Sequence, residues 1–394
     1  MLNLQMQQLG ATRSCIRELF EYGLRQAAIV GRENVFDYSI GNPSIPAPPA
    51  VNEAISEHLR TQSSLSLHGY TPAAGAFHAR AAVAENLNER FAAGARAEDI
   101  FLCCGAAAGL ISVIRALSVP GAEIIGIAPY FPEYKPFVEQ NGCKFLVVPA
   151  DTEHFQIRLD SLEKFLNANT QAVLINSPNN PSGTVYTADT LAALANILRR
   201  ASNRFGHPIY LISDEPYREL VYDGIVAPFI PKIYENTIVC YSWSKSLSLP
   251  GERIGYVYVP SQCADAREVF AAVAGSARIL GHVCPPSLMQ QVIASCICCA
   301  PDLSAYAANR ALLYSSLVRM GYTVAKPDGA FYLFVKAPYG DGDSFSETAK
   351  RENLLIVPGR DFGCADYVRI CYCVSHDMIQ RSLPVFQKLI YSRP

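Results

Sequence analysis

One lysine and one arginine, eight residues apart, carry the most chemistry in this chain. Lys245 lies in a Ser- and Gly-rich stretch, Tyr241-Ser-Trp-Ser-Lys245-Ser-Leu-Ser-Leu-Pro-Gly251-Glu-Arg253-Ile-Gly255, just after the apolar run Thr237 to Tyr241. A lysine amine forms an imine with an aldehyde. An arginine flanked by glycines reaches an anion without obstruction and suits bidentate contact. The pair points to a covalently held, phosphate-bearing aldehyde cofactor, a description that pyridoxal phosphate fits.

Two further apolar runs end in polar groups that complete such a site. Ala172 to Ile175 leads into Asn176-Ser-Pro-Asn-Asn180-Pro-Ser-Gly183, and Pro208 to Ile212 leads into Ser213-Asp214-Glu215-Pro216-Tyr217. Ligands of parallel sheets bind at the carboxyl ends of the strands, so Asn180, Asp214, Tyr217 and Lys245 are expected to line one crevice. Singly, each has an ordinary reading: a turn or N-cap aspartate, a turn asparagine, a solvated lysine. The joint arrangement favours function, because three runs bring complementary chemistry to one edge. Asp214 would sit against the pyridine nitrogen and keep the ring protonated, which makes it accept carbanion electrons well. Tyr217, read as one helical turn beyond Asp214, and Asn180 would hydrogen-bond the ring hydroxyl oxygen. Ser242, Ser244 and Arg253 would hold the phosphate. A desolvated Lys245 beside other cations has a lowered pKa and serves as nucleophile and base.

A second phosphate element precedes these. The run Ile100 to Cys104 enters Gly105-Ala106-Ala107-Ala108-Gly109 and then a helical pattern. Small residues at a helix N-terminus expose backbone N–H groups to an anion; tight helix–sheet packing is the alternative for this turn.

The elements that must position these residues follow from periodicity. A helix is expected from Ser14 to about Ala28, then a short strand ending near Ser39-Ile-Gly41, a proline-rich linker, and a helix from about Ala50. Short apolar runs then alternate with helical patterns, at 100–104, 123–127, 144–148, 172–175, 208–212, 237–241 and 255–259, which argues for a mostly parallel α/β sheet. The last third reads differently: a helix from about Asp302 to Met320, strands at 330–335, 354–357 and 366–372, and a closing helix after Asp377. The expected architecture is α/β: a large domain over 45–290 with a mostly parallel sheet flanked by helices, and a smaller α+β domain from both chain ends, 1–44 and 291–394.

Composition narrows the class. Half of the 394 residues are apolar, enough for a large core, and the formal net charge is -2 with no basic cluster, so nucleic acid is not an expected partner. No apolar run approaches the roughly 18 residues of a membrane span, and the N-terminus lacks a basic region followed by an apolar core; a cytoplasmic location is expected. Thirteen cysteines lie mostly in apolar segments. Cys296-Ile-Cys298-Cys299 holds a C-x-x-C spacing without a second ligand pair, so reduced core thiols are expected and no metal site.

The residues also carry a resemblance. Gly41 in Ser-Ile-Gly-Asn-Pro, Tyr70-Thr-Pro-Ala-Ala-Gly75, Gly105-Ala-Ala, Pro129-Tyr-Phe131, Asn180-Pro-Ser-Gly, Asp214-Glu-Pro-Tyr217, Ser242-x-Ser-Lys245 with Gly251-x-Arg253-x-Gly255, and Tyr367-Val-Arg369 occur in one order over nearly the whole chain. The chain resembles the pyridoxal-phosphate fold type I aminotransferases of the aspartate/aromatic class. The resemblance implies a seven-stranded sheet and transamination between an L-amino acid and a 2-oxo acid through a Lys245 aldimine. It implies that Phe131 stacks on the pyridine face, Arg369 clamps the substrate α-carboxylate and Gly41 contacts substrate. It also implies a homodimer in which Tyr70 reaches the neighbouring cofactor phosphate. Residues alone would make Phe131 a buried aromatic and Arg369 a surface charge. Many relatives carry a hydroxyl residue in the Gly105 turn; here Cys104 and Ala106 flank the glycine, so backbone donors, Ser242, Ser244 and Arg253 would carry more of that load. Arg278, near Pro285-Pro286, is read as a solvated or structural arginine, and the substrate side chain stays open. A β-eliminating C–S lyase or an ACC-synthase-like enzyme would use the same apparatus. A non-catalytic cofactor-binding regulator would be expected to carry an added DNA-binding domain, and all 394 residues are taken up by this fold.

Overall fold

A computed structural model describes residues 2–11 and 14–391. Among these, twelve strands form three sheets. They are β1 (Phe36–Asp37), β2 (Ile100–Cys103), β3 (Glu123–Ile127), β4 (Lys144–Val148), β5 (Thr170–Asn176), β6 (Tyr210–Asp214), β7 (Thr237–Ser242), β8 (Gly255–Tyr258), β9 (Tyr332–Lys336), β10 (Leu354–Leu355), β11 (Val357–Pro358) and β12 (Tyr367–Cys371). The main sheet has seven strands in the order β2-β8-β7-β6-β5-β3-β4. Every neighbouring pair is parallel except those of β8, which runs antiparallel to β2 and β7.

Its strands are apolar on both faces because helices cover both. Ala172 and Leu174 of β5 join one core with the helices Ala106–Ala116 and Ala266–Leu280, whereas Val173 and Ile175 point into another with the helix Ala188–Phe205. That last helix buries Leu191, Leu194, Ala195, Leu198 and Ala201, the one-face spacing of a 3.6-residue period. Its start is capped by the Thr187 hydroxyl, which accepts from the Thr190 N–H. No helix of the described residues is long and apolar enough to cross a membrane.

The second sheet, β11-β12-β9, is antiparallel. Leu333, Val335, Val368 and Ile370 face a core shared with the helices Ser304–Met320 and His376–Leu389. The alternate residues, Tyr332, Phe334, Tyr367, Arg369 and Cys371, face the other way. The third sheet joins the chain ends, pairing β1 in parallel with β10.

Three local expectations change. The single strand expected over 354–357 is broken at Ile356, because its two halves serve different sheets, β10 with β1 and β11 with β12. The run from Pro208 begins as a strand only at Tyr210, since proline cannot donate to the ladder. The early strand stops at Asp37, whose carboxylate accepts from the Ser39 N–H at 2.9 Å and its hydroxyl at 2.6 Å, turning the chain toward Gly41.

Candidate active site

The carboxyl ends of β5, β6 and β7 open into a cavity of about 290 Å³. Asn176 and Asp214 are register partners at the ends of β5 and β6, and Ser242 ends β7. Asn176 shapes the edge: its side-chain N–H donates to the Asp214 carbonyl at 2.8 Å, and its oxygen accepts from the Asn180 N–H at 2.7 Å. The cavity is lined by Gly41, Ala106, Ala107, Phe131, Asn180, Asp214, Tyr217, Ser242, Ser244, Lys245, Arg253 and Arg369, all of them singled out from sequence. Larger cavities of about 400, 450 and 630 Å³ lie elsewhere, and none of the three is lined by a lysine. Chemistry rather than size marks the site.

Asp214 is buried at 5% exposure. One carboxylate oxygen accepts from the Tyr134 hydroxyl at 2.5 Å, and the other, Oδ1, has no hydrogen-bond partner. Burial pushes its pKa up to about 7; the Tyr134 hydrogen bond pulls it down, and Glu215 next to it pushes it up. Glu215 itself is satisfied, accepting from Ser213 at 2.7 Å and Arg218 at 2.6 Å. An orphaned, buried carboxylate oxygen is costly, so Oδ1 calls for a donor that enters the cavity. A protonated ring nitrogen has that chemistry.

Lys245 lies in the one-turn helix Trp243–Ser246 after β7. Its ammonium donates to the Gly41 carbonyl at 2.7 Å and stands 5.5 Å from the Phe331 ring centre. Burial lowers its pKa; Arg369 and Arg253 act in the same direction, opposed by Cys373 and Cys371. Those two thiols are free, with their sulfurs 3.0 Å apart. A Cβ at Gly41 would strike the Tyr332 hydroxyl and come within 3.2 Å of Phe331, so glycine lets this carbonyl approach Lys245.

Arg253 and the Gly105 turn meet at one corner of the cavity. Gly105 has φ +84° and caps the helix Ala106–Ala116, and a Cβ there would lie 2.7 Å from the Arg253 guanidinium. Arg253 also donates to the Cys104 carbonyl at 3.3 Å. Ala106 and Ala107 at the helix start, Arg253, Ser242 and Ser244 line the same cavity, and free N–H groups at a helix start, a guanidinium and hydroxyls can all donate to an anion.

Arg369 corrects the plain reading of a surface charge. It lies in the middle of β12, 2% exposed. It donates to the Asn180 side-chain oxygen at 3.0 Å and to the Ser39 carbonyl at 2.5 Å, while its Nε has no partner. No carboxylate pairs with it among the described residues, so a buried guanidinium waits for an anion.

One further placement, that of Tyr217, differs from expectation. Tyr217 follows Asp214 in a turn rather than a helix, and its hydroxyl is 2.8 Å from that of Tyr332. Tyr70 is fully exposed and away from the cavity of its own chain. Arg278 is exposed near the end of the helix Ala266–Leu280 and does not line the cavity. Among the described residues no three His, Cys, Asp or Glu side chains cluster as a metal site. Sequence reasoning missed Tyr134, Tyr332, Asn176 and Ile16. Tyr134 had a signal, lying one helical turn after Phe131, against which its ring packs edge-on at 5.7 Å.

Comparison with known proteins agrees with this geometry. The profile of the family "Aminotransferase class I and II" matches residues 33–385. The chain is 28% identical to aromatic-amino-acid aminotransferase 2 of Thermococcus litoralis, over 95% of each chain, and 28% identical to the aspartate aminotransferase of Pyrococcus abyssi with the same coverage. The structure of an amino transferase from Eubacterium rectale superposes with a TM-score of 0.97 at 55% identity, covering 99% of this chain and 98% of that one. The aspartate aminotransferase of Thermus thermophilus with maleate gives a TM-score of 0.85 at 25% identity, covering 97% and 98%. The relatives are named as transaminases, which does not favour the lyase alternative, and the chain belongs to the class I and II aminotransferases.

Proposed function

We propose that the cavity holds pyridoxal phosphate and that the chain moves an amino group between an L-amino acid and a 2-oxo acid, with Lys245 as proton carrier. The observation that carries this reading is Asp214: a buried carboxylate lining the cavity that contains Lys245, with one oxygen held by Tyr134 and the other without a partner. Enzymes of this family use pyridoxal phosphate, which supplies an electron sink for the substrate α-carbon. Asp214 would hold the proton on the ring nitrogen. Asn180 and Tyr217 would bond the ring oxygen, Phe131 would cover one ring face, and the Gly105, Ala106 and Ala107 amides with Ser242, Ser244 and Arg253 would bind the phosphate. Arg369 and Asn180 would fix the substrate carboxylate beside Gly41. Lys245 Nζ, its pKa lowered by burial, would take the α-proton and redeliver it.

The same reading extends to assembly. Full exposure of Tyr70 fits a side chain lent to the partner subunit, hence a homodimer with shared sites. Residues 45–290 would form the cofactor domain, and 1–44 with 291–394 the smaller domain. A cytoplasmic location belongs to this proposal. Relatives named for aspartate and for aromatic amino acids set the first substrates to screen.

The test is direct. Apoprotein given pyridoxal phosphate should gain visible absorbance, and amino acids should bleach it while releasing 2-oxo acids. Lys245→Ala should lose the colour change and at least about 10⁴-fold in turnover. Turnover that survives in this variant would sink the assignment.

A further inference from the structure

Tyr332 touches both halves of the site, although no motif pointed to it. It opens β9 opposite Cys371, which puts Arg369, two residues away on the same face of β12, within diagonal reach. The Arg369 guanidinium carbon lies 4.8 Å from the Tyr332 ring centre. The Tyr332 hydroxyl is 2.8 Å from that of Tyr217, with the two rings edge to face at 5.7 Å. It also fills the space that a Cβ at Gly41 would need. The side chain is 2% exposed and lines the cavity.

We propose that Tyr332 is a positioning residue with two separable actions: its hydroxyl orients the Tyr217 hydrogen bond, and its ring face holds the Arg369 guanidinium. This inference rests on the reading of the cavity as a pyridoxal phosphate site. The first action follows from counting protons. A phenol has one proton and can accept two. Burial pushes both tyrosines above the ordinary range, so both are neutral near pH 7. One hydrogen bond joins them. If Tyr217 gives its proton to an anionic ring oxygen, only Tyr332 can supply the proton between the two phenols. Accepting that bond polarises the Tyr217 O–H and strengthens its donation. A better stabilised ring oxygen lets the nitrogen of Lys245 lose its proton at lower pH. The second action is a cation–π contact to a buried guanidinium that no carboxylate neutralises among the described residues, a setting in which the ring matters more than at an exposed site.

A spectroscopic titration separates the two. Loaded with pyridoxal phosphate, wild type and Tyr332→Phe are titrated by visible absorbance, and KM and kcat are measured for one good amino acid. Tyr332→Phe is expected to raise the spectroscopic midpoint by about half to one pH unit and to leave KM within about twofold. Tyr332→Leu is expected to raise KM about three- to tenfold as well. In a Tyr217→Phe background, adding Tyr332→Phe should shift the midpoint no further, an outcome that a merely structural role would not produce. An unchanged midpoint in Tyr332→Phe, or an equal shift in the Tyr217→Phe background, would overturn the hydroxyl role. An unchanged KM in Tyr332→Leu would overturn the ring role. If wild type shows no visible titration at all, the cofactor reading itself fails, which is distinct from a titrating wild type matched by Tyr332→Phe.

Discussion

Two walls face each other across the cavity, and they are finished to different degrees. The edge of the seven-stranded sheet is bonded to itself: Asn176 ties the Asp214 carbonyl and the Asn180 amide, and Tyr134 takes one oxygen of Asp214. One atom, Asp214 Oδ1, stays open there. The three-stranded sheet presents a whole buried cation, Arg369, with two neutral acceptors and no acid among the described residues. An unpaired buried charge costs more than an unpaired neutral group. On the proposed function, the first wall would receive a resident group that brings one donor. The second would receive a visitor that brings its own negative charge.

The largest test of this division is Arg369→Gln. Removing one partner of a buried, hydrogen-bonded charge pair costs about 2–5 kcal/mol, or roughly 30- to several thousand-fold. KM for the amino acid should rise by about 10²–10³-fold, and the colour gained on adding pyridoxal phosphate should stay. Loss of the colour with KM intact would reverse the assignment of the two walls.

Tyr134→Phe probes the other wall more gently. The Tyr134 hydrogen bond lowers the Asp214 pKa, which burial has pushed up to about 7. Without it, the carboxyl should titrate about one to two pH units higher, since hydrogen bonds to charged groups contribute about 1.5–3 kcal/mol. The ionised form is the one that pairs with a ring N–H⁺. Cofactor binding by the apoprotein is therefore present above this pKa and lost as pH falls through it. The acid limb of binding should move to higher pH in Tyr134→Phe. Comparing the two proteins cancels the titrations of the cofactor. Superimposable limbs would show that Tyr134 does not act through Asp214.

The two walls also differed in how much of them could be read from sequence. Asn180, Asp214 and Lys245 follow apolar runs at strand ends, where loops carry polar residues for a stated reason, and so the seven-stranded edge was legible. Arg369 lies inside β12 among alternating apolar residues, where pattern alone gives no sign that the outward face is covered by Tyr332, Phe334 and Phe362. Its role came from the resemblance, not from periodicity. Tyr332 was hidden for the same reason: a tyrosine in a strand usually means half-buried packing. The spacing of Tyr134 from Phe131 was a signal for its place in the site, but not for its partner, which is 80 residues away in sequence. The break at Ile356 was hidden because four apolar residues in a row do not reveal that two belong to another sheet.

The last effect, a few degrees of melting temperature, separates the walls by their response to pH rather than by activity. Asp214 has a folded-state pKa near 7 against an ordinary value of 3.8. The native state therefore keeps this proton to higher pH than the unfolded chain does. A group of this kind costs stability progressively as pH rises from about 4, and the full cost is reached above about 7. Three pH units correspond to about 4 kcal/mol as an upper bound. Asp214→Asn keeps an acceptor for Tyr134 and removes the ionisation. Its apoprotein should melt a few degrees higher than wild type at about pH 8, and the gain should shrink as pH falls toward about 4. Arg369→Gln removes a buried charge of the opposite sign, and no carboxyl ionisation is lost with it, so any gain it brings should be flat over the same pH values. Melting curves of the two apoproteins between pH 4 and 8 check this. A flat gain for Asp214→Asn would mean that the carboxyl is not held up in the folded state, and the open oxygen would then lose its claim on a ring proton.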